Sequence, residues 1–385
     1  MPLDRATALH DSMVQWRHQL HANPEIAFKE FDTAKFVADQ LKSFGIEVHT
    51  GLATTGVVGV LSRGEGDCIA LRADMDALEI TEQNTFAHVS KNPGKMHACG
   101  HDGHTAMLLG AAKILAESGT FKGTVVFIFQ PAEEIEGGAE VMVREGLFEK
   151  FPIHEIYGLH NWPSMPAGHM AVGPGPMMAA CDTFDIVVKG RGGHAAMPHM
   201  AVDPILAAAH IVTAVQSVAS RWASPQDPCV VSITQIHGGD TYNVIPDEIL
   251  MSGTTRWFNP KVGREIEQAL RKIIEGVGQS MGCEVQLVYD VRYPPTINTP
   301  IEAGVSADVM ATLVGEGKVN RTPIPSMGAE DFAFMLGKRP GSYGWLGTGK
   351  SEDCPKLHNP CFDFNDDLLS LGAAYWVSLI EYRLI

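Results

Sequence analysis

Apolar residues recur at helical spacing over two early stretches, 4–21 and 30–44, with Leu20 and then Phe36, Val37, Leu41 and Phe44 on the apolar stripe. The segment His21-Ala-Asn-Pro-Glu25 separates the two helices, because Pro24 disfavours helix at Asn23. Short β-rich runs follow at 45–49, 56–61 and 68–72. A helix is predicted over 103–117, a strand over 124–129, a helix over 138–146 and a strand over 155–159. Buried strands alternating with amphipathic helices predict an α/β domain with a largely parallel sheet. Three polar groups fall at the carboxyl ends of these strands: Asp74 with Asp76, Glu133 with Glu134, and His160. That edge is where open α/β sheets bind ligands.

The pattern changes near Ala179. A strand over 182–189, a helix over 203–221, strands over 228–237 and 248–258, a helix over 261–281 and a strand over 283–291 give the order βαββαβ, which is ferredoxin-like. After Pro294-Pro295 the α/β style returns, with helices near 300–314 and 329–336, a strand over 341–346 and a last helix from Asn365 to about Tyr382. The predicted architecture is one α/β domain, residues 1–180 and 293–385, interrupted by an inserted ferredoxin-like domain, residues 181–292.

Composition narrows the partners. The chain has 385 residues, 45% hydrophobic and 19% charged, an ordinary globular balance. A net charge of -16 and a pI near 5.4 argue against nucleic acid and anionic membranes, and mean that a small anionic substrate needs a local cationic site. The seven cysteines are scattered and lack a C-x-x-C, which suits free thiols in a reducing compartment. No apolar run approaches the roughly 20 residues that span a bilayer, and the first residues carry no apolar secretory core, so the expected location is the cytoplasm.

The densest chemistry lies in Met96-His-Ala-Cys-Gly-His-Asp-Gly-His104, just before an apolar helical run. Cys99 and His101, two apart, suit one borderline-soft divalent ion, and Gly100 and Gly103 allow the backbone a sharp turn. Asp102 and His104 share the stretch; alone it is equally a histidine-rich helix cap. Glu133 and Glu134 are adjacent carboxylates on a turn, free to point in different directions, although an acidic helix start is the commoner reason for such a pair. His160 alone reads as a strand-end histidine. Asp74 and Asp76 suit carboxylates that orient metal-bound histidines, or simply a turn. His358 lies between Cys354 and Cys361, a trio open to a structural zinc or to a cysteine pair under oxidation, the zinc being the less favoured with only three ligands at this spacing. His194 follows glycines in Gly190-Arg-Gly-Gly-His. H-E-x-x-H, the phosphate-binding P-loop, G-x-S-x-G and the dinucleotide fingerprint are all absent.

Taken together, His97–Thr105, Gln130-Pro-Ala-Glu-Glu134, Gly158-Leu-His-Asn-Trp162, Gly192-Gly-His-Ala-Ala-Met-Pro198, Asn243-Val-Ile-Pro246, Met327-Gly-Ala-Glu-Asp-Phe332 and His358-Asn-Pro360 resemble the aminoacylase, hippurate hydrolase and auxin-conjugate amidohydrolase group of two-metal metallopeptidases, in order and over essentially the whole chain. Glu79, where that group often has proline, and Cys354 and Cys361 depart from its pattern. The resemblance implies two divalent ions (zinc, manganese, cobalt or nickel) sharing the Cys99 thiolate, one with His101 and His160, the other with Glu134 and His358. It implies Glu133 as general base and Asp76 behind the ligands. Asn243 and Arg256 would hold the substrate carboxylate. The inserted domain would act as lid and pair with a second copy in a homodimer, with His194 reaching the partner's site. The implied reaction is hydrolysis of an N-acyl amino acid. The competing expectations are a dipeptidase, an N-acetyldiaminopimelate deacetylase, or a silent binding protein on the same scaffold.

Overall fold

The computed structural model describes residues 1–385, and the chain divides into two compact units. The first comprises residues 1–177, 296–324 and 331–385, and the second residues 178–295 and 325–330. The short second segment joins through backbone bonds that no local pattern announces: Ala179 N–H donates to Ser326 O and Gly328 O, at 3.0 and 2.9 Å.

The first unit is built on an eight-stranded sheet that is mixed, not uniformly parallel. Strands Gly123–Gln130, Cys68–Asp74, Glu155–Pro166 and Gly341–Gly349 form its parallel centre in that spatial order. Glu47–Leu52 and Gly56–Arg63 extend one side as an antiparallel pair, a connection short enough for a hairpin. Cys68–Asp74 is buried along its whole length, as a central strand covered on both faces must be. The strand predicted to stop at Leu159 runs on to Pro166, because Gly341–Gly349 pairs with it that far.

Register aligns the chemistry. Asp74 stands opposite Gln130, and Arg72 opposite Gly158, so His160 lies level with Asp74 two residues on. Three strand ends therefore deliver polar side chains to one edge.

Helix His101–Ser118 rests on Cys68–Asp74 and is flanked by His10–Ala22 and Leu369–Arg383. Residues 101–112 are all buried. A Cβ on Gly110 would lie 2.3 Å from Met13 Sδ, so its absence lets the first flanking helix approach. The stretch predicted as one helix over 4–21 is two, Pro2–Ala8 and His10–Ala22, broken at Leu9.

Helix His10–Ala22 also carries a wholly buried cation. Arg17 pairs with Asp102 at 3.2 Å, Asp363 at 2.9 Å and Asp366 at 2.5 Å. One turn later His21 bonds Asp102 through Nδ1 (2.9 Å) and Glu82 through Nε2 (3.1 Å). Removing Arg17 would leave the buried Asp102 with His21 alone and take the shared cation from the partly exposed Asp363 and Asp366.

The second unit is a four-stranded antiparallel sheet in the order Cys229–His237, Glu248–Trp257, Ala180–Lys189, Glu284–Tyr293. Numbered along the chain this is 2-3-1-4, the ferredoxin-like arrangement. Helices Pro204–Ser217 and Pro260–Met281 pack on it. Each starts with proline after a side-chain cap: Asp203 accepts from Ile205 N and Leu206 N, and Asn259 from Lys261 N. In Ala180–Lys189 alternate residues Phe184, Ile186 and Val188 enter the core, the two-residue period of a sheet with one covered face.

The Arg17 cluster generates a pH prediction. Burial opposes a charge on His21, but hydrogen bonds to Asp102 and Glu82 outweigh it and raise the pKa from 6.5 to about 9. A raised histidine stabilises the fold fully below its unfolded pKa, and the contribution disappears as pH climbs through the folded value. Denaturant unfolding of wild type should therefore show stability falling between pH 6.5 and 9, with His21→Asn removing on the order of 3 kcal/mol of that decline. Parallel curves for the two proteins over this interval would rule out a charged His21.

Candidate metal centre and active site

Local backbone geometry sets the site. Gly100 caps helix His101–Ser118 at φ 97°, a left-handed conformation, and a Cβ there would sit 2.3 Å from Asn161 Oδ1. Gly103 has a different role from the turn expected of it. It is helical, and the missing Cβ makes room for the Phe364 ring, which would otherwise be 2.4 Å away. The turn after strand Gly123–Gln130 has Ala132 at φ 57°, and His358 itself sits at φ 65°.

Six of the residues singled out in the sequence meet in this first unit. Ligand atoms of Cys99, Glu134 and His358 lie within 4.8 Å of one another, as do those of His101, Glu133 and Glu134. Cys99 Sγ is 3.5 Å from His160 Nε2, His358 Nε2 is 3.3 Å from Glu134 Oε1, and His101 Nε2 is 3.8 Å from the same oxygen. Asp76 joins them from behind. His101 Nδ1–H donates to its carbonyl at 3.0 Å with Oδ1 at 3.2 Å, and Oδ2 accepts Glu134 N–H at 3.0 Å.

These bonds decide which lone pairs are free. A carbonyl can only accept, so His101 and His160, the latter bonded to Asn161 O at 2.7 Å, carry their protons on Nδ1. Both rings then present Nε2 as an acceptor to the same space. His101 Nε2 and Glu134 Oε1 are buried without a hydrogen-bond partner, a condition that ordinary folding avoids.

The electrostatics call for a cation. Burial, then Glu134, Glu133 and Asp74, push the Cys99 thiol well above its usual pKa. Burial also depresses His160 well below the normal imidazole value, which keeps it neutral. On His101 burial is overridden by Asp74, Asp76 and Glu134, which lift it to about 10, so that without an ion this ring draws a second proton onto Nε2, the position a divalent ion would take instead. Thiolate, neutral imidazole and carboxylate donors around one acid-rich space fit borderline divalent ions, with more donors than one tetrahedral ion uses.

Other members of the motif go elsewhere. Asp102 is turned away to Arg17 and His21, which with burial overcome hold it far below the carboxylate range. His104 donates to Asp74 Oδ1 at 2.6 Å and accepts Asn161 N–H at 3.0 Å. Asp74 itself is fixed by Arg72 at 2.7 Å. His97, wholly buried with neither ring nitrogen bonded, is held neutral by burial, at about 4. His358 faces Glu134, and both flanking cysteines are free thiols; Cys354 donates to Pro163 O at 3.4 Å, so the trio forms no separate zinc site.

In the second unit His194 pairs with Val244 across a two-stranded ladder, and Ala195 N–H donates to Asn243 O at 3.0 Å, so His194 and Asn243 are exposed neighbours. Arg256 is at the far end of that unit's sheet, opposite Cys181, while Glu248 faces Lys189. Eight residues of strand, about 27 Å, separate the two ends. Its guanidinium bonds Thr254 and Thr255 of its own strand.

Fold and donor set together define a metal-dependent amidohydrolase with a two-metal site. The pattern of peptidase family M20/M25/M40 matches residues 70–382, and the chain belongs to that family. It is 42% identical to hippurate hydrolase of Campylobacter jejuni over 94% of each chain, and 38% identical to IAA-amino acid hydrolase ILR1-like 4 of Arabidopsis thaliana over 100% of this chain and 88% of that one. Among solved structures, the YXEP protein of Bacillus subtilis, described as a dinuclear metal-binding peptidase of the M20 family, superposes with a TM-score of 0.85 at 35% identity over 98% and 99% of the two chains.

Asp76 touches both His101 and the Glu134 backbone, so its loss should be felt at the metal and not at the core. Asp76→Ala should weaken divalent-ion affinity by roughly 10–100-fold, read by metal titration against a chelator. Wild-type affinity in the variant would remove Asp76 from the centre.

Proposed function

We propose that this enzyme hydrolyses N-acyl amino acids to a carboxylic acid and a free amino acid. The observation that carries the reading is the convergence of Cys99, His101, Glu134, His160 and His358 donors beside the Glu133 carboxyl. Support comes also from the relatives: a hippurate hydrolase, IAA-amino acid hydrolases, and an N-acetylcysteine deacetylase of Bacillus subtilis, 38% identical over 97% of each chain.

In this reading Cys99, His101 and His160 would hold one ion, and Cys99, Glu134 and His358 the other. When bound, the ions would acidify water and polarise the amide carbonyl. Glu133 accepts the proton of the attacking water and delivers it to the departing amine nitrogen. Asp76 holds His101 and the Glu134 turn in their orientations. Burial of Cys99, His101, Glu134 and His160 excludes bulk water on their side, which strengthens the polar interactions there, while His358 stays half exposed.

The inserted unit pairs with a second copy, and His194, with Asn243 beside it, serves the partner's site by stabilising the developing oxyanion and holding substrate. Arg256 contributes to carboxylate binding.

Turnover of a panel of N-benzoyl, N-acetyl and N-indoleacetyl amino acids, a dipeptide and N-acetyldiaminopimelate by metal-loaded protein tests the substrate class. Hydrolysis of the dipeptide alone would overturn it. Within that assay Glu133→Gln should keep its metals while kcat falls by about 10²–10⁴. Glu134→Gln should instead lose metal and recover part of its activity at high metal concentration. The opposite pattern would exchange their roles.

Mixing chains inactivated by Glu133→Ala with chains inactivated by His194→Ala should restore activity through hybrid dimers. Absence of rescue despite demonstrated subunit exchange would place His194 outside the partner's site.

A further inference from the structure

The turn that carries Glu133 and Glu134 is fixed by carboxylates that are neither base nor ligand. At its ends Asp331 accepts from the Gln130 side chain at 2.8 Å and from Ala139 N–H at 2.8 Å. The loop is closed between by Gly138 N–H on Ala132 O at 2.9 Å, and a Cβ on Gly138 would collide with Pro131 O at 1.7 Å. At its apex Ala132 is wholly buried and left-handed at φ 57°. An alanine does not stay there unaided, since its Cβ crowds the backbone in that region.

What holds it is Glu30. This side chain is 0% exposed, at the start of helix Phe31–Ser43. Its Oε1 accepts Ala132 N–H at 3.0 Å, and its Oε2 accepts the Thr55 hydroxyl at 2.6 Å. Both partners are donors, which suits an acceptor with two free oxygens. Burial, only partly offset by the Thr55 bond, raises the carboxyl to about 7, a cost the fold carries at this position.

We propose that Glu30 is a positioning residue for the reaction: anchored by Thr55, it fixes Ala132 in its left-handed conformation and thereby aims Glu133 and Glu134 in their separate directions. The inference rests on the roles proposed above for that pair, and it concerns the aim of the side chains, not the charge of Glu30. A glutamine can reproduce both bonds, its amide oxygen accepting Ala132 N–H while its NH2 donates to a rotated Thr55 hydroxyl. Aspartate is a methylene too short, and alanine makes neither bond.

The test compares Glu30→Gln, Glu30→Asp and Glu30→Ala in the full-length protein, with folding checked by thermal unfolding and metal bound checked by elemental analysis. Two quantities are read: steady-state kinetics at full metal loading, and affinity for Co²⁺ followed by thiolate-to-cobalt absorption. The second needs no turnover, so an enzyme inactive on every N-acyl amino acid would defeat the substrate reading and leave this one testable. Glu30→Gln should stay within about threefold of wild type in both. Glu30→Asp and Glu30→Ala should lose on the order of 10²-fold in kcat, the usual consequence of an ångström-scale misplacement, with KM changed less than about threefold and Co²⁺ affinity reduced tenfold or more. If Glu30→Ala does not fold, Glu30→Asp decides the question alone. Unchanged kcat and Co²⁺ affinity in folded Glu30→Asp would overturn the proposal. So would a Glu30→Gln as impaired as Glu30→Ala, which would assign the effect to charge.

Discussion

Charge compensation in a closed space is the constraint on which the first unit depends. Cys99, Asp74, Asp76 and Glu133 are all at least nine-tenths buried, and Glu134 is nearly so. So many acidic groups cannot share a low-dielectric pocket without cations. Arg72 supplies one fixed charge, bonded to Asp74 and Asp331. Asp102, also buried, is answered by Arg17 and His21. Around Cys99, His101 and Glu134 no Lys or Arg side chain plays that part in the bonded network, and the donors left there are those that bind divalent ions. The metal is thus part of the electrostatic closure of the fold as well as of the chemistry.

The eight-residue motif 97–104 shows how one short stretch serves both ends of this balance. Successive residues on a helix point about 100° apart. His101 therefore faces the site while Asp102, the next residue, faces helix His10–Ala22 and its Arg17. His104, three residues on from His101, returns to the same side, and the two rings lie 5.5 Å apart. Cys99 precedes the helix and reaches the site because Gly100 turns the backbone in a left-handed conformation, at a place where Asn161 leaves no room for a Cβ. Reactive and structural charges are separated here by helical geometry, not by distance along the chain.

Much of this was legible in the sequence. Alternating strands and helices, and the switch to βαββαβ after Ala179, follow from hydrophobic period alone. The parallel centre follows from unbroken apolar runs such as 125–129. The antiparallel edge was harder, since pairing direction depends on which strand lies beside which, and an apolar run carries no record of its neighbour. Polar residues at strand ends pointed to a site, and Cys99, His101, Glu134, His160 and His358 do converge. The directions of Asp102 and His104 did not show, because a string of letters does not say where a helix begins to turn. Glu30 was hidden for a different reason. An acidic residue opening an amphipathic helix looks like an ordinary solvated start, and nothing local reveals that Ala132, a hundred residues on, needs its oxygen.

That last contact bears on how adjacent glutamates come to differ. Glu133 and Glu134 have the same side chain and neighbouring backbones, so intrinsic chemistry cannot separate them. The turn does: Ala132 in the left-handed region, Glu134 N–H bound by Asp76, and Asp331 on the residues at either end leave the segment little rotational freedom. Each of these restraints is itself buried and hydrogen-bonded, which gives it one arrangement instead of many. Ordering a surface loop costs conformational entropy when substrate arrives, whereas here that cost is met when the chain folds. The distinction between a group that moves protons and a group that holds an ion is therefore written in the backbone of the turn and in the carboxylates that grip it, not in the two residues themselves.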